Sequence, residues 1–209
     1  AFSQERDRGQ NHLGNMLMYN YGQSDGFSWY NDEFRYAVTS SFYNQIFDYA
    51  YTNQLKQLSV LRNLDAPEHA NYKAIAKILM SYQFQILVDT YGDIPYFDAL
   101  ERGSNPYPEY NDAQLIYDDL IKELNENINI INSASSVATV PSKDDGVFGG
   151  DMIAWKKFAN SIKLRVLVRE SDVAGKTQFI IDELAKTNAD GFMATDVTST
   201  VGDGYGAVE

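Results

Sequence analysis

Apolar side chains recur every three or four positions through most of this chain, and no long segment alternates with the period of two that a half-buried strand requires. The pattern therefore predicts helices joined by loops. Between about Phe34 and Leu64, the residues Tyr43, Phe47, Tyr51, Leu55, Leu58 and Leu61 trace one face of a long amphipathic helix, which Asp65-Ala66-Pro67 interrupts. The next run carries two interleaved faces, Ile75-Leu79-Tyr82-Ile86 and Met80-Phe84-Val88-Tyr91, and a helix apolar on two sides belongs at the centre of a fold. Gly92 stops it, and Pro95 prevents its resumption. From there to Tyr110 the chain holds Pro95, Gly103, Pro106, Pro108 and several tyrosines, which predicts a loop ordered by packing rather than by its own hydrogen bonds.

Asn111 is placed to cap a third helix, with Gln114 three residues on as in a capping box, and Tyr117, Leu120, Leu124, Ile128 and Ile131 supply its stripe to about Asn132. Ser133 to Gly150 is rich in Ser, Asp and Gly and reads as an exposed connection. Asp151 then caps a helix with the face Trp155, Phe158, Ile162 and Val166, and Asp172 opens a shorter one to about Asn188. Upstream, Leu13 to Tyr21 predicts a short helix, and Gly22 to Asp32 a loop exposing Phe27, Trp29 and Tyr30. The stretch from Ala194 to Glu209 contains no element that would close a domain, so an interrupted polypeptide is expected. The fold class is mainly α, an irregular array of tetratricopeptide-like helical hairpins with long loops. Its spacing never settles to the period of about 34 residues that a regular array would show.

Composition narrows the function. With 209 residues, 44% of them hydrophobic, the chain can bury one sizeable core or two small ones. A net charge of −12 repels phosphate backbones, which excludes nucleic acid as a partner and disfavours anionic lipid, but leaves open a covalent lipid anchor. The absence of cysteine removes disulfides, thiolate metal sites and a cysteine nucleophile. No run of about 20 apolar residues is present, and the first residues lack the apolar core of a signal peptide, so the protein is either intracellular or has lost an export signal.

Catalytic chemistry finds little support. His12 and His69 stand alone, without a second ligand at metal-binding spacing, and neither a nucleophile elbow nor a phosphate loop occurs. Asp118, Asp119, Glu123 and Glu126 lie opposite an apolar stripe and read as a solvated helix face. Asp144, Asp145 and Asp151 lie near glycines but do not match a calcium-loop spacing. No catalytic residue, metal or cofactor is expected. The aromatics carry more information, because sugar rings and peptide side chains are bound by stacking on Trp and Tyr faces, and 15 tyrosines are present. Trp29 and Tyr30 lie in a loop where helical periodicity does not demand burial, as do Tyr107 and Tyr110, whereas Trp155 belongs to a core stripe.

The string Leu87-Val88-Asp89-Thr90-Tyr91-Gly92-Asp93-Ile94-Pro95-Tyr96-Phe97-Asp98-Ala99-Leu100 resembles the helix-exit signature of the SusD/RagB family. Further similarities follow in order: Tyr110-Asn111-Asp112 before Ile116-Tyr117-Asp118-Asp119-Leu120, then Gly150-Asp151, then Trp155-Lys156-Lys157-Phe158-Ala159-Asn160-Ser161-Ile162-Lys163-Leu164-Arg165. Phe42-Tyr43-Asn44-Gln45-Ile46 resembles the family's first long helix, so the similarity spans most of the chain. The resemblance implies that residues 1–209 are the N-terminal, tetratricopeptide-like part of a single SusD-like domain whose C-terminal half is missing. It further implies a lipoprotein of Bacteroidetes-type bacteria, held at the outer-membrane surface by an N-terminal lipid anchor outside this chain and acting as a lid on a SusC-like TonB-dependent transporter. It places ligand-binding aromatics in the Phe27 to Tyr30 loop.

Three functions remain open at this point. The first is a non-enzymatic protein that captures an oligosaccharide or a peptide and delivers it to the transporter through aromatics such as Phe27, Trp29, Tyr30, Tyr107 and Tyr110. The second is an intracellular helical-repeat scaffold with a groove for protein segments. The third is a glycoside hydrolase, which requires two carboxyl groups about 5–10 Å apart across a cleft.

Overall fold

Helices dominate the computed structural model of the protein, which describes residues 9–187 and 190–197. Their order is α1 (Gln10–Leu17), α2 (Asn31–Arg35), α3 (Gln45–Tyr49), a π-helical turn (Ala50–Leu55), α4 (Lys56–Arg62), α5 (Ala70–Tyr91), α6 (Ala113–Asn132), α7 (Met152–Arg169) and α8 (Thr177–Ala185). Two strands of two residues each, β1 (Ile94–Pro95) and β2 (Tyr110–Asn111), pair antiparallel in the register Ile94 with Asn111 and Pro95 with Tyr110. The backbone divides into two compact units, residues 1–57 and 58–209.

In the second unit α5 is central, as its two apolar faces predict, and it packs against α6 and α7. Burial goes further than those faces. Ala74, Ile78 and Leu87 are fully enclosed, completing a third row, while Ile75, Leu79, Tyr82 and Ile86 are half-buried. Ile78 meets Leu124 and Ile128 of α6 and Trp155, Ala159 and Ile162 of α7 in the main core cluster. Each such side chain contributes about 1.5–3 kcal/mol on removal from water. A smaller cluster of Ile121, Val166 and Leu167 receives Phe179, Ile180 and Leu184 of α8. Lys163 crosses between these helices: its Nζ donates to Asn125 Oδ1 at 2.8 Å and lies 3.6 Å from Glu183, with burial lowering its pKa.

α5 ends at Tyr91 because Gly92 adopts φ 75°, ψ −118°, a conformation that a side chain would strain. The two motifs around this exit are halves of one clasp. Asp93 Oδ1 accepts from Ala113 N at 2.9 Å, and Asn111 Oδ1 accepts from both Tyr96 N and Phe97 N at 2.9 Å. Asn111 is therefore occupied, and the cap of α6 is Asp112, whose Oδ1 accepts from Gln114 N and Leu115 N. The expected cap thus shifts by one residue. It also follows that the proline-rich loop is closed at its base by hydrogen bonds as well as by packing.

The connection before α7 is not exposed throughout, since Pro141 is buried and Val147 and Phe148 return to the core. Asp145 folds this return: it accepts from Val147 N, Phe148 N, Gly150 N and, at 2.8 Å, Trp155 Nε1. Those donors outweigh the cost of its burial and lower its pKa. Gly150, at φ 89°, lies so near Pro141 that an added Cβ would fall 1.9 Å from the carbonyl oxygen. Asp151 caps α7 as predicted, its Oδ1 accepting from Ile153 N and Ala154 N.

The single helix expected from Phe34 to Leu64 is not continuous. Tyr36 and Tyr43 take left-handed backbone conformations, φ 53° and 54°, so the long helical run begins only at Gln45. Tyr43, Leu55 and Leu58 of the expected face are buried, but with a π turn, whose hydrogen bonds lie five residues apart, Ile46 and Ala50 are buried while Phe47 and Tyr51 are half-buried and Leu61 is exposed. Tyr19, at φ 55°, likewise follows the end of α1, which runs from Gln10 to Leu17 rather than from Leu13 to Tyr21. Gly175, at φ 83°, delays α8 to Thr177, five residues beyond the expected Asp172. Asn188 and residues 198–209 of the expected interrupted tail lie outside the described residues.

Candidate functional site

In the first unit, the loop between α1 and α2 carries Phe27 and Trp29. Local bonds shape the loop: Phe27 N donates to Ser24 O at 3.3 Å, Trp29 N to Gln23 Oε1 at 3.2 Å, and Asn31 Nδ2 to Ser28 O at 2.8 Å. Beneath it, the His12 ring lies 4.9 Å from Tyr30, 5.9 Å from Tyr21 and 6.3 Å from Tyr43. Tyr30 is half-buried in this group and anchors the loop, whereas Trp29 is 77% exposed and Phe27 61%. A large apolar ring held in water by a shaped loop is a ready stacking surface.

Tyr107 and Tyr110 belong to the second unit. Tyr107, between Pro106 and Pro108, is 89% exposed, and Tyr110 stands on β2 with its backbone paired to Pro95. Phe97 joins them as an aromatic that periodicity did not single out. It is 49% exposed, its amide is held by Asn111, and its ring meets Tyr96 edge-on at 5.0 Å. The five expected residues therefore fall into two groups, Phe27, Trp29 and Tyr30 in one unit and Tyr107 and Tyr110 in the other.

The carboxylates expected on a solvated face of α6 are mostly engaged instead. Asp118 pairs with Lys176, Glu123 lies 2.9 Å from Lys77, and Asp119 Oδ2 accepts from the Tyr96 hydroxyl at 2.9 Å. Only Glu126, with Lys122 at 3.9 Å, keeps the expected surface role. Periodicity missed this because the partners come from other helices and loops. Burial, then the negative charge of Asp119, raises the Tyr96 pKa far above the usual phenol range, so its proton stays on the hydroxyl. Asp144 accepts from the Tyr72 hydroxyl at 2.6 Å, while Asp145 and Asp151 hold the start of α7. Among the described residues no group of three or more His, Cys, Asp or Glu side chains is arranged to hold a metal ion, and no helix is long and apolar enough to cross a membrane.

Fold and surface together define a helical protein that presents aromatic rings on loops. The sequence matches the SusD-like family described as starch-binding and associating with the outer membrane over residues 2–200, and the chain belongs to that family. Solved structures agree with this fold. One, described as a chitin-binding protein, is 27% identical with a TM-score of 0.68, covering 87% of this chain and 38% of its own. A chitin-binding SusD homolog from Flavobacterium johnsoniae is 22% identical with a TM-score of 0.68, covering 79% and 36%. A SusD-like protein from Bacteroides thetaiotaomicron is 22% identical with a TM-score of 0.62, covering 87% and 37%. The chain thus spans less than two fifths of the length of these proteins. No match was found among curated proteins.

Proposed function

We propose that this chain belongs to a non-enzymatic protein of the outer-membrane surface that captures oligosaccharides and passes them to a SusC-like TonB-dependent transporter, with residues 1–209 supplying the helical part of its SusD-like binding domain. The observation that carries the proposal is the presentation of Phe27, Trp29, Tyr107 and Tyr110 to solvent in a member of a starch-binding family. The 27% identity to a chitin-binding protein supports a glycan rather than a peptide as cargo. Tyr30 acts in this scheme as the anchor of the Trp29 loop. The lipid tether and the transporter are proposed from the family resemblance, which the description of the family as associating with the outer membrane supports.

Isothermal titration of the purified protein with chito-oligosaccharides, malto-oligosaccharides and mixed peptides tests the cargo. Saturable heat with either glycan series, weakened about tenfold or more by Trp29→Ala or Tyr107→Ala, is the expected result, because a stacked ring is a large share of a small interface. Saturable binding of peptides alone overturns the glycan assignment. Release of shorter sugars during the titration overturns the non-enzymatic one.

A further inference from the structure

The end of α4, the middle of α5, α6 and the segment after β1 enclose a cleft of about 300 Å³ within the second unit. Its polar wall holds Arg62, Lys77, Asp119 and Glu123, and its aromatic wall holds Tyr96 and Phe97. We infer that this cleft, which none of Phe27, Trp29, Tyr30, Tyr107 and Tyr110 lines, is a further subsite for one neutral sugar ring. The inference rests on the carbohydrate-capturing role proposed above.

Charge comes first. Two cations and two carboxylates line the cleft, so its formal charge cancels, which favours neither an anion nor a cation. What remains is hydrogen-bonding capacity of both kinds. Nε of Arg62 donates to Asn63 Oδ1 at 3.3 Å, and its terminal amines find no acceptor among the described residues. That guanidinium is close enough for its charge to act on the Tyr96 hydroxyl. Asp119 uses one oxygen to accept from Tyr96, while the other has only Lys122 at 4.0 Å, so it retains accepting capacity. The Tyr96 oxygen, which keeps its proton and donates it in a hydrogen bond to Asp119, can still accept. Each sugar hydroxyl is at once a donor and an acceptor, and a wall that alternates Arg, Tyr and Asp matches that demand.

Shape agrees with the charge. Phe84, buried and 4.7 Å from Tyr96 edge-on, supports the Tyr96 ring, and half-exposed Phe97 gives an apolar face at the cleft wall. One face of a pyranose is lined by C–H groups that pack on such a ring. A volume of about 300 Å³ is at the lower end of small-molecule sites, near 300–1,000 Å³, and suits a single ring rather than a long chain. The Lys77–Glu123 pair at 2.9 Å links α5 to α6 and keeps the walls fixed, so little ordering remains for binding.

The test is amide NMR of the whole purified protein titrated with N-acetyl-D-glucosamine and with methyl α-D-glucopyranoside, set beside calorimetry with the corresponding oligosaccharides. At least one monosaccharide is expected to shift the amides of Ser81, Tyr96 and Phe97 saturably. Arg62→Met and Asp119→Asn should each weaken that binding about tenfold or more, through loss of a charge-assisted hydrogen bond, while Trp29→Ala leaves it unchanged. Unchanged circular dichroism and melting temperature of Arg62→Met, which retains an apolar stem, establish that the fold persists. Monosaccharide shifts confined to the loop aromatics, or monosaccharide binding insensitive to both cleft substitutions, overturn the subsite and leave oligosaccharide capture standing. No shift with either monosaccharide, while oligosaccharides still bind, does the same. Failure of every sugar, long or short, overturns capture and subsite together.

Discussion

The two units solve the helix problem differently. In the second, α5, α6 and α7 run for 22, 20 and 18 residues, and α6 and α7 begin at aspartates that satisfy two amides each. In the first, α1, α2 and α3 have 8, 5 and 5 residues, and none has a side-chain cap. The first also carries Tyr19, Tyr36 and Tyr43 in left-handed backbone, each at a cost on the order of 1 kcal/mol, whereas among the described non-glycine residues the second has Leu100 alone. Such strain persists only where surroundings hold it, here ring contacts such as Tyr19 with Phe34 at 6.1 Å and Tyr43 with Phe42 at 4.8 Å. Long helices, two of the three capped by aspartate, build a core, while short uncapped ones carry a loop that leaves its aromatics at the surface. The two tryptophans summarise the contrast: Trp155 is 1% exposed and Trp29 77%.

The strongest way to break this comparison is Trp155→Ala. It empties the centre of the α5–α6–α7 core and should cost about 3–5 kcal/mol, read as a fall in the chemical denaturation midpoint. A loss below about 1 kcal/mol would mean that the core lies elsewhere. Asp145→Ala comes next, at about 1–3 kcal/mol, because it strands the buried Trp155 Nε1–H. The same carboxylate makes stability pH-dependent. Its folded pKa lies below the ordinary value of about 3.9, so its contribution is complete above that value, declines as pH falls through it, and is lost once pH passes below the folded pKa. Denaturation of the wild type and Asp145→Ala from pH 7 to pH 2 should therefore converge at the acid end, and a constant gap would contradict the assignment.

Smaller effects sharpen the contrast. Asp112→Ala or Asp151→Ala should each remove about 1 kcal/mol, measured by thermal melting, through loss of a cap that the first unit's helices never had. Trp29→Ala should change stability by no more than about 0.5 kcal/mol, since its ring faces water, while its effect is read in oligosaccharide affinity. A destabilisation approaching that of Trp155→Ala would recast Trp29 as a structural residue.

Much of this was legible in the sequence because it is written locally. The positions of α5, α6 and α7, the stop at Gly92, the cap at Asp151, the burial of Trp155 and the ordered family motifs all depend on residues within a turn or two of one another, where propensity, capping and periodicity act. The exposure of Phe27 and Trp29 was equally legible, since a glycine-bounded loop carries them, but that of Tyr30 was not, because the ring is half-buried against His12. Tertiary structure decided the rest. The π turn, with Ile46 and Ala50 on the buried face instead of Phe47 and Tyr51, leaves no mark in a pattern of threes and fours. Asn111 cannot be told from a helix cap until Tyr96 and Phe97, some fifteen residues earlier, arrive to use its side chain. The cleft exists only because Lys77 meets Glu123 across 46 positions and Tyr96 meets Asp119 across 23. Local pattern states which faces are apolar. Which polar groups face each other is set only when the helices pack, because such pairing depends on positions in space rather than on spacing along the chain.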